Sequence, residues 1–142
     1  MKTIMHTLKI HTSPTTVYEA LTTDKGLAGW WSEKVWIENG TGGIVRFTFE
    51  DEFNPQMRVT ELAQDRIVRW QCTGGHDRWQ DSKLSFALEE QEGETQLHFV
   101  QDYPKDVPDT MYGTYNFNWG YYLNSLKLFC EKGKGTPFSP PE

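Results

Sequence analysis

Histidine side chains can do both acid–base and metal chemistry, because imidazole titrates near neutral pH and is a common metal ligand. The sequence contains His6, His11, His76 and His98, with no HxxxH motif and no His/Cys cluster at metal-ligand spacing. His76 and Asp77 are adjacent in the glycine-rich stretch TGGHDRWQD, and a His–Asp pair can serve as a general base. Adjacent side chains rarely face each other, so we interpret this stretch as a solvated hairpin tip. Because no cluster has metal-ligand spacing, we expect no metal site.

Other motifs of catalysis are missing from the sequence. It contains neither GxSxG nor a P-loop, and the acidic run Glu50–Glu52 is interpreted as a solvated turn. The two cysteines, Cys72 and Cys130, are far apart and form no CxxC pair, which predicts two free, semi-buried thiols. We therefore identify no catalytic residue and expect no cofactor.

Aromatic residues are the most distinctive part of the composition, at 14% of the chain, with 8 Phe, 6 Tyr and 6 Trp. Such side chains bury large areas and can either fill a core or wall a pocket. A buried Tyr or Trp also needs a hydrogen-bond partner, and a part-polar pocket suits an amphipathic or aromatic ligand. The candidate ligand-binding residues are Trp31, Phe47, Phe49, Met57, Trp70, Phe86, Phe99, Tyr112, Tyr115, Trp119 and Tyr122. The alternative is that these side chains form an ordinary packed core.

The elements that must position these side chains follow from the hydrophobic pattern. The segment TIMHTLKI alternates as a β-strand does. Ser13-Pro14 predicts a helix start, and Asp24 is the expected cap of a second, short helix. Further alternating segments with short polar connections are typical of an antiparallel meander. They are EKVWIEN, GIVRFTFED, PQMRVTEL, RIVRWQC, QDSKLSFALEE and TQLHFVQDY.

A long helix is predicted from about Asp109 to Lys132, with Gly133 ending it. One face of this helix is continuous and apolar, with residues stepping by three and four: Tyr112, Tyr115, Trp119, Tyr122, Leu126 and Phe129. Gly113 and Gly120 suit a close approach of the helix backbone to a ligand or to the sheet. The order of elements predicts an α+β fold in which a curved antiparallel sheet wraps around the long C-terminal helix, with two short helices after the first strand.

Composition excludes some classes of function. The net charge is −6 and the pI is about 5.2, and an acidic surface repels phosphates, which argues against nucleic-acid binding. The sequence has no apolar run of about 18 residues, so we expect no membrane span. The N-terminal residues show no signal-peptide pattern, and we expect a cytoplasmic protein. We expect one domain, residues 1–135, followed by an extended, loosely held tail, residues 136–142.

Three stretches of the sequence resemble one superfamily. SPTTVYEALTTDKGLAGWW is similar to the first helix and Trp-Trp segment of the START-like or Bet v 1-like (SRPBCC) superfamily. GGIVRFTFED is similar to its glycine-led strand, and NWGYYLNSLKLFCEKGKGTPF to its C-terminal helix and tail. Within the superfamily, the likeness is to the domain homologous to the activator of the heat-shock protein 90 ATPase. The resemblance implies a helix-grip fold with a hydrophobic cavity between the sheet and the long helix.

The resemblance also bears on individual residues. In this fold the short helices form one rim of the cavity, which implies that one of Trp30 and Trp31 faces the cavity. The other would then pack under the first helix or face the rim. The first and last strands often pair, which would bring His6 and His98 to neighbouring strands. A metal shared by these two histidines is the less favoured interpretation.

Members of the superfamily include lipid carriers, hormone and allergen-type binders, polyketide cyclases and co-chaperone domains. We therefore expect a non-catalytic, stress-related binder of a hydrophobic or aromatic small molecule. One alternative is a cyclase- or aromatase-like enzyme that uses the cavity, and another is a co-chaperone-like domain with a protein partner such as a chaperone. An enzyme would need a titratable group deep in the cavity. Because the inward strand positions are mostly apolar, we favour the binder and leave the oligomeric state open.

Overall fold

The computed structural model describes residues 2–50 and 53–140. Seven strands and three helices follow one another in the predicted order. They are β1 (Lys2–Ile10), α1 (Pro14–Thr22), α2 (Asp24–Trp30), β2 (Lys34–Ile37), β3 (Ile44–Thr48), β4 (Gln56–Ala63), β5 (Ile67–Gly74), β6 (Lys83–Gln91), β7 (Glu94–Tyr103) and α3 (Asp109–Lys132). A short 3₁₀ turn, Asp77–Trp79, lies between β5 and β6.

The strands form one antiparallel sheet in the order β1-β7-β6-β5-β4-β3-β2, so the first strand pairs with the last. Burial alternates along β3 and β7 and along most of β5, as it does in half-buried strands. In β7 every second residue from Thr95 to Tyr103 is buried. The predicted α+β, helix-grip arrangement is confirmed, with α3 covering the inner face of the sheet.

The two short helices begin at side-chain caps. Ser13 Oγ accepts a hydrogen bond from the Thr16 backbone N–H at 3.4 Å, as the sequence predicts for α1. The cap of α2 is Thr23, whose Oγ1 accepts from Gly26 N at 3.0 Å. The prediction that Asp24 caps this helix is therefore wrong by one residue. Gly26 permits close contact of the two helices, since a Cβ here would lie 2.6 Å from Ala20 Cα.

Helix α3 buries the predicted stripe against the sheet. Trp119 is 2% exposed and Leu126 is 0% exposed, which confirms that the stripe faces inward. Gly133 ends the helix with φ 82°, a left-handed conformation that glycine adopts without strain. Side chains of α3 also bind the free edge of β1: Tyr112 Oη donates to Thr3 O at 2.6 Å. No helix in the described part of the chain has the length and apolar character needed to cross a membrane.

The segment that follows α3 is extended and hydrogen-bonded to the domain. Thr136 N donates to the buried Ser125 Oγ at 2.7 Å. Phe138 N donates to Trp31 O at 2.8 Å, and Glu33 N donates to Phe138 O at 2.9 Å. The expectation of a loosely held tail is thus wrong for Thr136 and Phe138, because backbone pairing with a loop is not visible in sequence composition.

Candidate functional site

Trp31 lies at the centre of the layer between the sheet and α3, which we call the aromatic interior. Its ring centroid is 4.3 Å from that of Phe47, 5.0 Å from Trp119 and 5.2 Å from Phe49. Trp70 stacks on it at 6.2 Å. These rings come from the end of α2, from α3, from β5 and from β3 with the residue after it, so one indole joins both layers of the fold.

The Trp30-Trp31 pair is placed by the end of α2. Trp30 is the last helical residue, and its Nε1 donates to Ala20 O in α1 at 2.9 Å. Trp31 follows as the C-cap residue. The two indoles stack, with centroids 5.8 Å apart and planes 11° apart. Trp30 therefore packs under the first helix, while Trp31 occupies the aromatic interior.

The sequence-predicted site residues are found mostly in this interior. Nine of the eleven are buried: Trp31, Phe47, Phe49, Met57, Trp70, Phe86, Phe99, Tyr115 and Trp119. Tyr122 is half-buried and its ring lies 6.2 Å from that of Phe49. Tyr112 is also half-buried, but its hydroxyl is bonded to the edge of β1. The structure thus brings ten of these side chains together and places Tyr112 at the sheet edge.

The buried side-chain amide of Gln101 accepts hydrogen bonds from the polar groups of two aromatic rings. Gln101 is 0% exposed, and its Oε1 accepts from Tyr103 Oη at 2.6 Å and from Trp119 Nε1 at 2.7 Å. Its Nε2 donates to Ser82 Oγ at 3.1 Å. Sequence reasoning missed Gln101, although its place on the inward face of an alternating strand was a usable signal. The network satisfies groups that would be costly to bury unpaired.

Half-buried rings from four separate segments surround one end of the interior, and we call them the rim: Phe53, His76, Tyr122 and Phe138. His76 Nε2 and Tyr115 Oη are 2.8 Å apart. Phe53 packs edge-on against His76 at 5.1 Å. The interpretation of His76 as a solvated hairpin tip is therefore wrong, because the connection after β5 folds back over the first half of α3.

Trp79 lies directly beneath the rim and was not predicted from sequence. It is 3% exposed, and its ring lies 5.0 Å from Phe53, 5.7 Å from Tyr115 and 5.9 Å from Trp119. Within residues 2–50 and 53–140, its Nε1 is the one buried side-chain nitrogen or oxygen without a hydrogen-bond partner. Such an unpaired buried donor costs about 1–3 kcal/mol.

Comparison with known proteins decides the family. The model of the activator of Hsp90 ATPase homolog 1-like (AHSA1) proteins matches residues 11–131. The chain belongs to the AHSA1 family. No curated protein sequence matches it.

Solved structures agree with this assignment. The Aha1 dimer from Colwellia psychrerythraea is 35% identical to this AHSA1-family domain, over 95% of this chain and 100% of that one, with a TM-score of 0.84. A conserved protein of unknown function from Enterococcus faecalis is 25% identical over 95% of this chain and 74% of its own, with a TM-score of 0.75. A protein from Staphylococcus saprophyticus, at 16% identity over 98% of each chain and a TM-score of 0.78, shares the fold.

Among the described residues of this AHSA1-family domain, several buried or half-buried phenols and thiols have raised pKa values. Burial raises the pKa of Tyr103 far above its ordinary range, and burial also raises the pKa of Tyr115 despite the nearby Arg78. Burial raises the pKa of the Cys72 thiol, and raises that of Cys130 to about 12. These side chains therefore act as neutral hydrogen-bonding groups or apolar surface near pH 7.

Two surface cavities lie outside the aromatic interior of the AHSA1-family domain. One, of about 400 Å³, opens on the outer face of the sheet near Arg69, Lys83 and Asp102. The other, of about 510 Å³, lies beside the start of α1 near Asp65 and Glu89. Charged side chains lie at both cavities, and neither lies between the sheet and α3, where the apolar pocket was predicted.

The histidines of β1 and β7 lie on opposite faces of the sheet. His6 Nε2 is 3.0 Å from Asn116 Oδ1 of α3, on the inner face. His98 Nδ1 is 3.1 Å from Thr7 Oγ1, and Thr7 is an exposed residue of the outer face. A metal cannot be shared by side chains on opposite faces. Across the described residues, no group of three or more His, Cys, Asp or Glu could hold a metal ion.

We expect this AHSA1-family domain to fold without metal or disulfide. Chelator and reductant should each change the melting temperature by less than about 2 °C. Both cysteines are free and have raised thiol pKa values, so alkylation should be slow in the native protein and rapid after unfolding. Thermal melts and mass spectrometry of alkylated protein measure these outcomes. A large fall in melting temperature with either reagent would refute the expectation.

Proposed function

We propose that this domain binds a small apolar or aromatic molecule between the sheet and the first half of α3, and catalyses no reaction. The observation that carries the proposal is the difference between the two ends of the interior. At the rim, half-buried side chains from four segments separate the aromatic interior from solvent. At the other end, Val17, Leu21, Leu123 and Leu126 form an aliphatic core that is almost fully buried. A molecule can enter the interior more easily past half-buried rim side chains than through this fully buried aliphatic core.

Binding requires displacement of rim side chains, since the rings lie in mutual contact. Centroid separations in the interior run from 4.3 Å between Trp31 and Phe47 to 6.5 Å between Phe47 and Phe49. Burial of a bound ligand contributes about 25 cal/mol of binding free energy per Å² of apolar surface. The free energy needed to rearrange the rim side chains reduces this gain. Affinity for a small probe should therefore be modest.

A non-catalytic role is supported by the chemistry of the interior. Within the described residues, the buried polar side chains are uncharged: Ser32, Ser82, Thr95, Gln101 and Ser125. The raised pKa of Tyr115 keeps its phenol protonated beside His76. A cyclase-like enzyme would instead need a proton acceptor among the buried side chains of the interior. His76 is half-buried and lies at the rim, with its Nε2 2.8 Å from Tyr115 Oη. We also propose a cytoplasmic location for this binding role.

A second candidate function, binding of a protein partner, is favoured by the outer face of α3. Phe117 is 73% exposed and Tyr121, one helical turn away, is 50% exposed. Exposed aromatic residues are enriched at protein interfaces. The Colwellia psychrerythraea relative is described as a dimer, so a second copy of this chain is one possible partner. In this case the aromatic interior would be a solid scaffold.

Fluorescence titration with 8-anilinonaphthalene-1-sulfonate distinguishes the two candidates. We expect saturable energy transfer from tryptophan to the probe in the wild-type protein. Trp119→Ala should weaken binding by about 10-fold or more, because a ring face in the interior is lost.

Two matched alanine variants serve as controls for this titration. Leu126→Ala removes a fully buried aliphatic side chain that is not part of the rim, and should change probe affinity by less than about 2-fold while lowering stability. Phe117→Ala alters the exposed face of α3. If Phe117→Ala abolishes binding and Trp119→Ala does not, the probe lies on the outer surface and the protein-binding role is favoured. Absence of saturable binding would contradict the small-molecule role.

A further inference from the structure

The indole N–H of Trp79 is the feature of this structure that points to the chemistry of a ligand. Trp79 belongs to the 3₁₀ turn after β5 and is 3% exposed. Trp30 and Trp119 both donate their Nε1 hydrogens to oxygen atoms of the chain. Trp79 Nε1 finds no acceptor among the described residues. A phenylalanine would fill the same apolar surroundings without a buried donor, so the N–H implies an acceptor from outside the chain.

Three other donors around Trp79 are already engaged. Tyr115 Oη lies within hydrogen-bonding distance of His76 Nε2. Tyr103 Oη and Trp119 Nε1 both donate to Gln101. Trp79 Nε1 is therefore a fully buried and unengaged donor that an incoming molecule would meet beneath the rim.

The surroundings also define the shape and charge of that molecule. Phe53 of the rim packs edge-on against the Trp79 ring, with an angle of 86° between their planes. On the inner side Trp119 stacks on Trp79, with the planes 15° apart. Displacement of Phe53 would open a flat aromatic surface that suits a planar molecule. A charged acceptor would lose its hydration among these rings, so an uncharged oxygen fits better.

We propose that Trp79 Nε1 donates a hydrogen bond to an uncharged carbonyl oxygen of the ligand, which is a planar aromatic or conjugated carbonyl compound. This inference rests on the proposed small-molecule function and specifies its ligand class. The carbonyl oxygen would lie at Trp79, while the apolar part of the molecule would take the place of Phe53 at the rim.

The test compares two probes of similar shape, 2-acetylnaphthalene and 2-ethylnaphthalene, which differ in the carbonyl oxygen. Each is measured by displacement of 8-anilinonaphthalene-1-sulfonate from the wild-type protein and from Trp79→Phe. For each protein we take the ratio of the dissociation constants of the two probes. Because differences in probe solubility affect this ratio equally in both proteins, they cancel when the two ratios are compared. We expect the preference for the ketone to fall about 3- to 10-fold in Trp79→Phe. Trp36→Phe, which alters an exposed indole on β2, should leave the preference unchanged.

Indole N–H resonances of the wild-type protein give a second readout, in which the variant serves only to assign the Trp79 signal. The signal that disappears in Trp79→Phe identifies Trp79, and it should move downfield when the ketone is added to wild-type protein but not when the hydrocarbon is added. If both probes bind with the same preference in both proteins, and the Trp79 signal does not move, the inference is overturned while the proposed function stands. If neither probe binds, the proposed function fails and the inference fails with it. Should Trp79→Phe not fold, a Trp79 signal identified by sequential assignment decides the question in the wild-type protein.

Discussion

Replacing Trp31 with alanine is expected to lower the free energy of unfolding by about 3–5 kcal/mol, the range for large aromatic residues removed from a core. The side chain is 2% exposed, and its ring stacks on Trp30, Trp70 and Trp79. No smaller neighbour can fill the space without moving a ring from another element. The loss should therefore combine reduced apolar burial with the cost of a cavity, and urea denaturation measures it.

Trp36→Ala is the matched control for this prediction, because it makes the same chemical change at an exposed site. Trp36 is 50% exposed on β2, and its main contact is Arg46, 4.9 Å from the ring centroid. We expect its loss to cost less than about 1 kcal/mol. Equal losses for the two variants would show that Trp31 does not occupy the centre of the fold.

Replacing Leu126 with alanine is expected to cost about 2–5 kcal/mol. Leu126 is 0% exposed and lies in the second half of α3, where the aliphatic core includes Leu123 and Val17. Alanine has the higher helix propensity, so the loss reports packing and not helix formation. Measurement of unfolding by urea, followed by circular dichroism, gives the value.

Phe117→Ala provides the comparison for Leu126→Ala on the same helix. Phe117 is 73% exposed, and its replacement should change stability by no more than about 0.5 kcal/mol. A similarly small loss for Leu126→Ala would mean that the stripe of α3 does not face the sheet in solution.

The elements of this fold could be predicted almost completely from sequence, because their signals are local. Alternation of apolar residues in TQLHFVQDY predicts a strand, and the structure has β7 over these residues. The three-and-four spacing from Tyr115 to Leu126 predicts the buried face of α3. The Thr23 cap differs from the predicted Asp24 by one position, since both side chains can accept the same kind of backbone hydrogen bond.

Most of the aromatic interior was also predicted from sequence, since inward strand positions and the helix stripe select many of the rings that the structure brings together. Trp79 was missed, and Tyr112 lies at the sheet edge. Their role stays a prediction, because the same residue types suit a packed core or a pocket wall. The sequence did not show which of Trp30 and Trp31 faces the interior. That depends on where α2 ends, and the helix ends at Trp30, with Trp31 as the residue after it.

Tertiary structure alone decided the contacts made by loops and by isolated polar groups. His76, Trp79 and Phe53 lie in connections without periodicity, and they meet only because those connections fold over the first half of α3. Gln101 binds Tyr103 of its own strand, but its other hydrogen-bond partners, Trp119 and Ser82, lie outside β7. Periodic patterns report which face of an element is buried, but hydrogen-bond pairing depends on distances between elements. That is why the unpaired Trp79 N–H could be recognised only after the fold was assembled.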